Sequence, residues 1–271
     1  MKPNRIQHGD RKGVLFVVGA VVLLAVGLGL VIGFDKLRDL YLEQCVIRDP
    51  AAQVSISAGE MVKADVIAEN LGLLPGANLA HIDFAKKREE LLKKVPTLKS
   101  VVVTRYLPGR VSVATEERTP IAKLGIRGYR KTTGRVVDAE GMVFTCLRGT
   151  QLLPTVNEAQ APGTAPGLKI KGRTLAALRL IEASREPEFA ELGVQDVDVS
   201  KPDYLLATLG DYSKAKIAWD EMDATTAASR DALVSQLRKL VNAIRCKVGV
   251  GTVIWNATMP DRVFADSQGK F

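Results

Sequence analysis

The chain has 271 residues, of which 46% are hydrophobic and 25% charged, and its formal net charge is +8 at pH 7. This length suits about two globular domains, and the composition is not that of a disordered chain. The charge is spread out, with no run of five like charges, and aromatic residues make up only 5%. Because nucleic-acid binding needs a concentrated basic face with stacking aromatics, we predict no nucleic-acid partner.

An apolar stretch at residues 14–34 predicts a single transmembrane helix. It contains no charged or polar side chain, and at 1.5 Å per residue it spans about 30 Å, the thickness of a hydrocarbon core. The alternative is a cleaved signal peptide, whose apolar region is usually about 7–15 residues long and ends in a small-x-small site that this stretch lacks. The stub at 1–13 is basic, whereas the charges just after the span cancel. We therefore expect the stub in the cytoplasm and residues 35–271 outside.

The next segments predict a small α+β module at residues 45–117, after a juxtamembrane helix at 35–44. A strand is expected near Val46–Ile56, interrupted at Pro50. Two stretches with helical apolar spacing follow, MVKADVIAENLGL and FAKKREELLKKV. The segments SVVVTRYL and RVSVATEE then read as two strands joined by a tight Leu-Pro-Gly turn at residues 107–109. In the order strand-helix-helix-strand-strand, two helices can cover one face of a three-stranded sheet.

Residues 118–266 predict a second, mostly antiparallel β domain with two helices, and residues 267–271 form a tail. Short β-like segments alternate with turn residues through this part of the chain. The helices are expected at 174–185 and 228–245, and the Pro/Gly-rich run at 154–167 is predicted to be a loop. The closing segment GTVIWNATMPDRVFAD is predicted to form one or two strands around Met259-Pro260-Asp261, and the final strand, at 252–265, is predicted to lie at the edge of the sheet. The fold class is therefore α+β.

Neither the histidines nor the cysteines indicate a catalytic or metal site. His81 is the only histidine beyond the basic stub, and no nucleophile elbow such as GxSxG occurs. Cys45, Cys146 and Cys246 lie too far apart in sequence for a disulfide framework or a CxxC metal motif. We expect buried free thiols, with a Cys146–Cys246 bridge as the alternative in an oxidising compartment. No metal and no cofactor is predicted.

The best-placed pair of carboxylates is Asp138 and Glu140, in the segment VVDAEGMVF. Two acids could cleave a glycan, but Asp-Ala-Glu-Gly between two β segments is also ordinary turn chemistry. We favour the turn and predict no catalytic residue. The sequence indicates an interaction protein rather than an enzyme, without a small-molecule substrate.

The order of these features resembles that of the FtsQ/DivIB family of cell-division proteins. The segment LGLLPGANLAHIDF is similar to the family's Gly-x-Asn-Leu before an acidic helix start. VPTLKSVVVTRYLPGRVSVATEERTPIAKL is similar to its proline, paired strands around Arg-x-x-Pro and Glu-Arg-x-Pro-x-Ala, and VVDAEGMVF to its Val-Asp-x-x-Gly-x-Val-Phe. The family often has Trp where Leu107 stands, and the final strand lacks its more acidic motif. The last third of the chain therefore matches in layout more than in residues.

The resemblance implies a POTRA domain followed by a β domain, and a non-enzymatic membrane scaffold at the division septum. Its partners would be small bitopic division proteins of the FtsB/DivIC and FtsL type, and it would help to regulate septal peptidoglycan synthesis. Two alternatives stay open: a membrane-anchored peptidoglycan hydrolase using Asp138 and Glu140, and a POTRA module of an outer-membrane assembly or secretion system.

Two sets of site residues follow from this interpretation. An exposed edge of a sheet can accept a partner segment as an additional strand, and Trp and Arg are enriched at interface hot spots. The candidate partner-binding residues on the final strand are Val253, Trp255 and Arg262. The second set would form an interdomain hinge and bond across it, with a solvated strand end as the alternative. It comprises Glu116, Glu117, Arg118 and Pro120.

Overall fold

The structure is a computed structural model that describes residues 10–106, 108–126, 134–146, 148–158, 165–222, 224–246 and 253–266. The predicted basic stub lies mostly outside these residues, and Leu107 and the tail at 267–271 lie wholly outside them. The chain divides into two compact units. The first comprises Met1–Ser57, Ala64–Lys87 and Val102–Ala114, and the second comprises Ala58–Lys63, Arg88–Val101 and Thr115–Phe271.

The N-terminal helix α1 is formed by Asp10–Gln44 and includes the predicted span at 14–34. The large apolar side chains that are described from Phe16 to Tyr41 are exposed. Within α1, the side chains of residues 10–15, 17–20 and 25 lie outside the described part of the chain. In the portion that is described, no helix is both long and apolar enough to cross a membrane.

The predicted strand-helix-helix-strand-strand order is confirmed, although the first strand is shorter than expected. Pro50 does not interrupt a strand but begins a four-residue helix that Asp49 caps, and the strand starts after it. The elements are α2 (Pro50–Gln53), β1 (Val54–Ser57), α3 (Ala64–Leu71), α4 (Phe84–Lys94), β2 (Leu98–Tyr106) and β3 (Arg110–Glu117).

Among the described residues, these strands form a three-stranded sheet in the order β1-β3-β2. β1 pairs with β3 in parallel, with Val54 opposite Val111 and Ile56 opposite Val113. Val111 and Val113 are buried, as is Ile67 of α3. The alternation of buried and exposed residues along β3 is the two-residue period expected of a strand with one face on a core.

The second part of the chain contains nine strands among its described residues, all in one sheet with the order β12-β11-β10-β9-β8-β7-β4-β5-β6. The strands are β4 (Ala122–Ile126), β5 (Arg135–Val137), β6 (Val143–Thr145), β7 (Thr155–Glu158), β8 (Asp196–Asp198), β9 (Leu205–Thr208), β10 (Lys214–Ile217), β11 (Ile254–Ala257) and β12 (Phe264–Asp266). The helices are α5 (Gly172–Ser184) and α6 (Ala227–Arg245), with a short 3-10 turn at Ala190–Leu192.

Among the described strands this sheet is mostly antiparallel, as predicted, but it includes parallel pairs. In the described strands, β7 lies parallel to both β4 and β8, and β11 lies parallel to β10, while the remaining pairs are antiparallel. The prediction of a loop across 154–167 was wrong at β7, which occupies an interior position of the sheet. Val156 of β7 is fully buried, so this short strand contributes to the core despite its Pro/Gly-rich surroundings.

The main core lies between this sheet and the helices α5 and α6. One side-chain row from each interior strand packs there, including Val156, Val197, Ala207 and Ala215. Helix α6 follows β10 and precedes the parallel strand β11, which is the usual arrangement of a strand-helix-strand crossover. The crossover determines which strands remain at the end of the sheet.

Candidate functional site

The predicted hinge residue Arg118 is the centre of a buried ion pair within the second unit. Its Nη1 donates to Asp138 Oδ2 at 2.5 Å, and only 10% of the Arg118 side chain and 7% of the Asp138 side chain are exposed. Arg118 Nε also donates to the Pro96 carbonyl at 3.1 Å. The Arg118 backbone N–H donates to the Thr97 carbonyl at 2.8 Å. Arg118 is therefore fixed by both its side chain and its backbone, and it is not a solvated strand end.

Asp138 uses its second carboxylate oxygen to hold the turn between β5 and β6. Oδ1 accepts the backbone N–H of Glu140 at 3.0 Å and that of Met142 at 2.8 Å. Gly141 has φ +78°, which a residue with a Cβ rarely adopts. Asp138 thus has the predicted turn role and is in addition the counter-ion of Arg118. With both oxygens engaged in these bonds, nothing in its surroundings favours the role of a glycan-cleaving acid.

Glu117, the residue before Arg118, binds a different segment of the second unit. Its carboxylate accepts the backbone N–H of Glu60 at 3.0 Å, of Met61 at 2.9 Å and of Val62 at 2.7 Å. Three successive N–H groups converging on one anion form a nest. Gly59 leaves room for this arrangement, because a Cβ built there would lie 2.2 Å from the Glu117 carboxyl carbon.

Glu116 belongs to a more exposed network with Lys99, which no sequence pattern singled out. Lys99 Nζ lies 3.2 Å from Glu116 Oε1 and 3.7 Å from Glu140 Oε1. The hydrogen bond from Lys99, followed by the one from Ser100, lowers the pKa of Glu116. The same bond to Glu116 raises the pKa of Lys99. Since all of these groups are well solvated, the network contributes little stability by itself.

We call Glu116, Glu117, Arg118, Asp138 and Glu140 the Arg118 cluster. It ties the end of β3 to the 60–62 segment, to the 96–97 segment and to the β5–β6 turn. Pro120 follows it, half-buried, just before β4. The acids and the arginine stand out separately in the sequence, but no spacing rule indicated that residues 118 and 138 would meet.

The 252–265 segment contains two strands, one of the two arrangements that the sequence left open, and only the second of them is at the edge. β11 lies between β10 and β12, with Trp255 opposite Ala215 on one side and Ala265 on the other. Trp255 is only 4% exposed and belongs to the main core, and Val253 packs against that core. The strand that carries Trp255 is therefore not the edge strand.

Arg262 and β12 remain accessible. The Arg262 side chain is 61% exposed and pairs with Asp261 at 3.1 Å. Its guanidinium carbon lies 5.6 Å from the ring centroid of Phe264, which is 43% exposed. In the described part of the chain, the other side of β12 pairs with no strand. This end of the sheet thus offers free backbone groups next to an exposed arginine and phenylalanine.

The cysteines are free thiols, so the alternative of a Cys146–Cys246 bridge is not realised in this structure. Cys45 and Cys146 are buried as expected, whereas Cys246 is exposed. Cys146 Sγ lies 3.5 Å from Met61 Sδ. His81 is exposed. Within the described ranges, no group of three or more His, Cys, Asp or Glu side chains is arranged to hold a metal ion.

Fold and site together define the class: an α+β protein in which a small three-stranded module precedes a larger sheet whose described strands end at β12. Residues 50–118 match the sequence family described as POTRA domain, FtsQ-type. Over 175 residues, the chain is 26% identical to the cell division protein FtsQ of Corynebacterium glutamicum, a similarity that covers 64% of this chain and 69% of that protein.

The chain is similar to the FtsQ/DivIB family of cell-division proteins, both in its POTRA segment and over the longer match to FtsQ. The resemblance found in the sequence is thereby confirmed, and the POTRA match covers β1 to β3 together with α2, α3 and α4. The match is to the FtsQ-type POTRA domain, so the alternative of a module from an outer-membrane assembly or secretion system is not supported.

Proposed function

We propose that this protein is a non-catalytic, membrane-anchored scaffold of the division machinery that binds small bitopic proteins of the FtsB/DivIC and FtsL type. Through them it would recruit and regulate septal peptidoglycan synthesis. The observation that carries the proposal is the free strand β12 at the end of the nine-stranded sheet of the described residues. A partner segment that adds to β12 would satisfy backbone N–H and C=O groups along its whole length.

The side chains around β12 support binding at this edge. Phe264 and Arg262 are exposed beside it, and an aromatic ring with a neighbouring arginine is typical of interface hot spots. Trp255 and Val253 would not contact the partner. They would contribute indirectly, because their packing in the core fixes β11, the strand that pairs with β12. We therefore expect the partner to contact Phe264 and Arg262, and not Trp255, which is buried.

We further propose that α1 anchors the chain as a single-pass helix in the cytoplasmic membrane, with the N-terminus in the cytoplasm. Residues 14–34 carry no polar side chain, and the apolar side chains described there, such as Leu23 and Leu30, are exposed rather than packed. A helix that is apolar on all sides is stable in lipid. The proposed layout is a POTRA domain at 45–117 and a β domain at 118–266, both outside the membrane, with Glu116, Glu117, Arg118 and Pro120 between them.

The edge proposal is tested by co-purification of the full chain with a candidate FtsB/DivIC-type protein. Phe264→Ala and Arg262→Glu should each lower recovery of the partner by about tenfold or more, as hot-spot truncations do. Leu152→Ala is the matched control, since Leu152 is a fully exposed apolar residue outside this sheet end. If Phe264→Ala and Arg262→Glu both leave recovery unchanged, β12 is not the binding edge.

The anchor proposal has a separate test in cells. A fluorescent fusion should form a band at midcell in dividing cells, and alkaline extraction of membranes should leave the chain in the pellet. Leu23→Lys with Leu30→Glu should release it, because charged side chains inside the bilayer are costly. A wild-type chain that is extracted into the soluble fraction would contradict the anchor.

A further inference from the structure

A cavity of about 500 Å³ lies between α5 and the start of α6. This volume is within the range of small-ligand sites, about 300–1,000 Å³. One wall is formed by Arg179, Glu182 and Ala183, which lie on one face of α5 because they are three and four residues apart. The opposite wall is the first two turns of α6, and Trp219 closes one side. The lining residues used below are Arg179, Glu182, Ala183, Trp219, Arg230 and Leu233.

Glu182 is the group in this cavity whose bonding capacity is unused. It is half-buried, and its carboxylate forms no hydrogen bond or ion pair with any residue that the structure describes. Burial raises the pKa of Glu182. The positive charges of three nearby arginines lower the pKa less than burial raises it, and the negative charge of Asp138 raises it further; the arginines are Arg179, Arg185 and Arg230. The Glu182 carboxylate is partly withdrawn from water and has no donor among the described residues, so it can accept a hydrogen bond from a ligand.

The arginines around Glu182 already have acceptors. Arg230 Nη2 lies 3.1 Å from Glu186 Oε1. Arg179 Nη1 donates to the carbonyl of Ala224. Arg185 Nη2 donates to the carbonyl of Ile121 at 2.6 Å. An anionic ligand would have to compete with these acceptors for the guanidinium groups. A cationic ligand would find the Glu182 carboxylate unbonded, and it would have to keep its charge close to Glu182 and away from Arg179 and Arg185, whose carbonyl acceptors leave them positively charged.

The remaining walls suit a long basic side chain. Trp219 is held in place by its indole N–H, which donates to Ser229 Oγ at 3.1 Å, and Ser229 in turn donates to the Glu221 carbonyl at 2.8 Å. A fixed aromatic ring attracts a cation over its face. Leu233 and Ala183, which are 1% and 7% exposed, contribute apolar atoms to the cavity lining, and the methylene stem of a lysine or arginine can lie against such atoms while its charged end reaches polar groups.

We propose that this cleft between α5 and α6 receives a lysine or arginine side chain of a partner polypeptide, with Glu182 as its counter-ion. The cleft would be a second contact site, distinct from β12. This proposal rests on the proposed function in one respect, that the protein acts by binding other chains. The partner is defined by its chemistry, as a chain that presents a basic side chain next to an otherwise neutral surface.

The test measures binding of N-acetyl-arginine amide to the full chain by ligand-observed NMR. We expect saturable binding with a dissociation constant on the order of 1 mM, as is usual for a fragment of this size. The citrulline analogue, which replaces the guanidinium by a neutral urea, should bind at least tenfold more weakly. Absence of saturable arginine-amide binding, or binding of N-acetyl-glutamate amide at least as tightly, would overturn the proposal.

Variants assign the binding to the cleft. Glu182→Gln should weaken binding of the arginine probe at least tenfold, and Glu188→Gln is the matched control because Glu188 pairs with Arg238 outside the cleft. If Glu182→Gln does not fold, Glu182→Asp shortens the side chain by one methylene and should weaken binding about threefold or more. Unchanged binding in the folded Glu182 variant would overturn the assignment.

The outcome is independent of β12. Glu182→Gln should leave the co-purification of an FtsB/DivIC-type partner that depends on Phe264 measurable, and Phe264→Ala should leave binding of the arginine probe unchanged. Failure of the edge proposal and failure of the cleft proposal are therefore seen in different assays.

Discussion

Replacing Arg118 by methionine removes a guanidinium from a nearly dry site and leaves the Asp138 carboxylate without its counter-ion. Both side chains are at most 10% exposed, so water cannot replace the lost bond. Breaking a buried pair by removing one partner typically costs about 3–5 kcal/mol. Asp138 keeps two backbone N–H donors from the β5–β6 turn. We therefore expect the lower end of that range, about 3 kcal/mol in the free energy of unfolding.

A double-mutant cycle separates the pair from its surroundings. Asp138→Asn retains an oxygen for the turn but presents no charge to Arg118, and it should cost about 2–3 kcal/mol. Arg118→Met with Asp138→Asn should be more stable than the sum of the single changes predicts, by about 2 kcal/mol, because no unpaired charge remains buried.

The assay is urea unfolding of the full chain, followed by fluorescence and by circular dichroism, with thermal melting as a second measure. A loss of about 3 kcal/mol should lower Tm by about 6–12 °C for a domain of this size. Arg238→Met, which breaks an exposed pair with Glu188, is the control and should cost less than about 1 kcal/mol. If Arg118→Met costs no more than Arg238→Met, the buried pair does not hold this region and the reasoning is refuted.

Three further predictions concern polar groups that are wholly or partly buried. Burial raises the pKa of Asp196 to about 6, so its ionisation costs stability as the pH rises through 6. Asp196→Asn should therefore raise the free energy of unfolding in urea by about 1–2 kcal/mol at pH 8, after allowance for partial exposure. This gain should shrink toward pH 4. A pH-independent gain would contradict it. Gly59→Ala should cost about 1–3 kcal/mol, because its Cβ would displace the Glu117 carboxylate from its three N–H donors, and amides 60–62 should then exchange hydrogen faster; unchanged exchange would argue against the nest. Gln236→Leu should lower the unfolding free energy by about 1–2 kcal/mol, since two backbone carbonyls near the last strands lose donors at 2.7 and 2.9 Å, and an unaltered midpoint would count against this.

The POTRA order could be predicted because each of its elements is specified locally. Two helical apolar faces and two alternating strands are legible in windows of about ten residues. β7 could not be predicted in this way. It has four residues, of which Val156 is the fully buried apolar one, and it is stabilised by parallel pairing with β4 and β8, whose residues lie tens of positions away. Such strands leave almost no local signal.

The predicted edge segment does contain the edge strand β12, but Trp255 was wrongly placed on that edge for a related reason. The sequence contains a strand, a long amphipathic helix and another strand in succession, which favours a parallel crossover. By that rule β11 pairs in parallel with β10 after the crossover through α6. The next strand, β12, can then pair only with the other side of β11, so that β12 is the edge strand. The residue types near the end of the chain were noticed, but which strand they occupied depended on this topology. Likewise, Asp138 was correctly interpreted as a turn residue, while its partner Arg118 could be found only in three dimensions.

Glu117 and Arg118 are consecutive residues with opposite charges, and they reach in different directions to different segments of the chain. Neighbouring side chains on an extended backbone alternate in direction, so one residue more or less ahead of this dipeptide would turn each charge toward the other's binding position. The glutamate would then face a carboxylate and the arginine a ring of N–H donors. The number of residues ahead of Glu117 and Arg118 is consequently as important as their identity. Insertions should be tolerated in the loops of the large sheet but not immediately before these two residues.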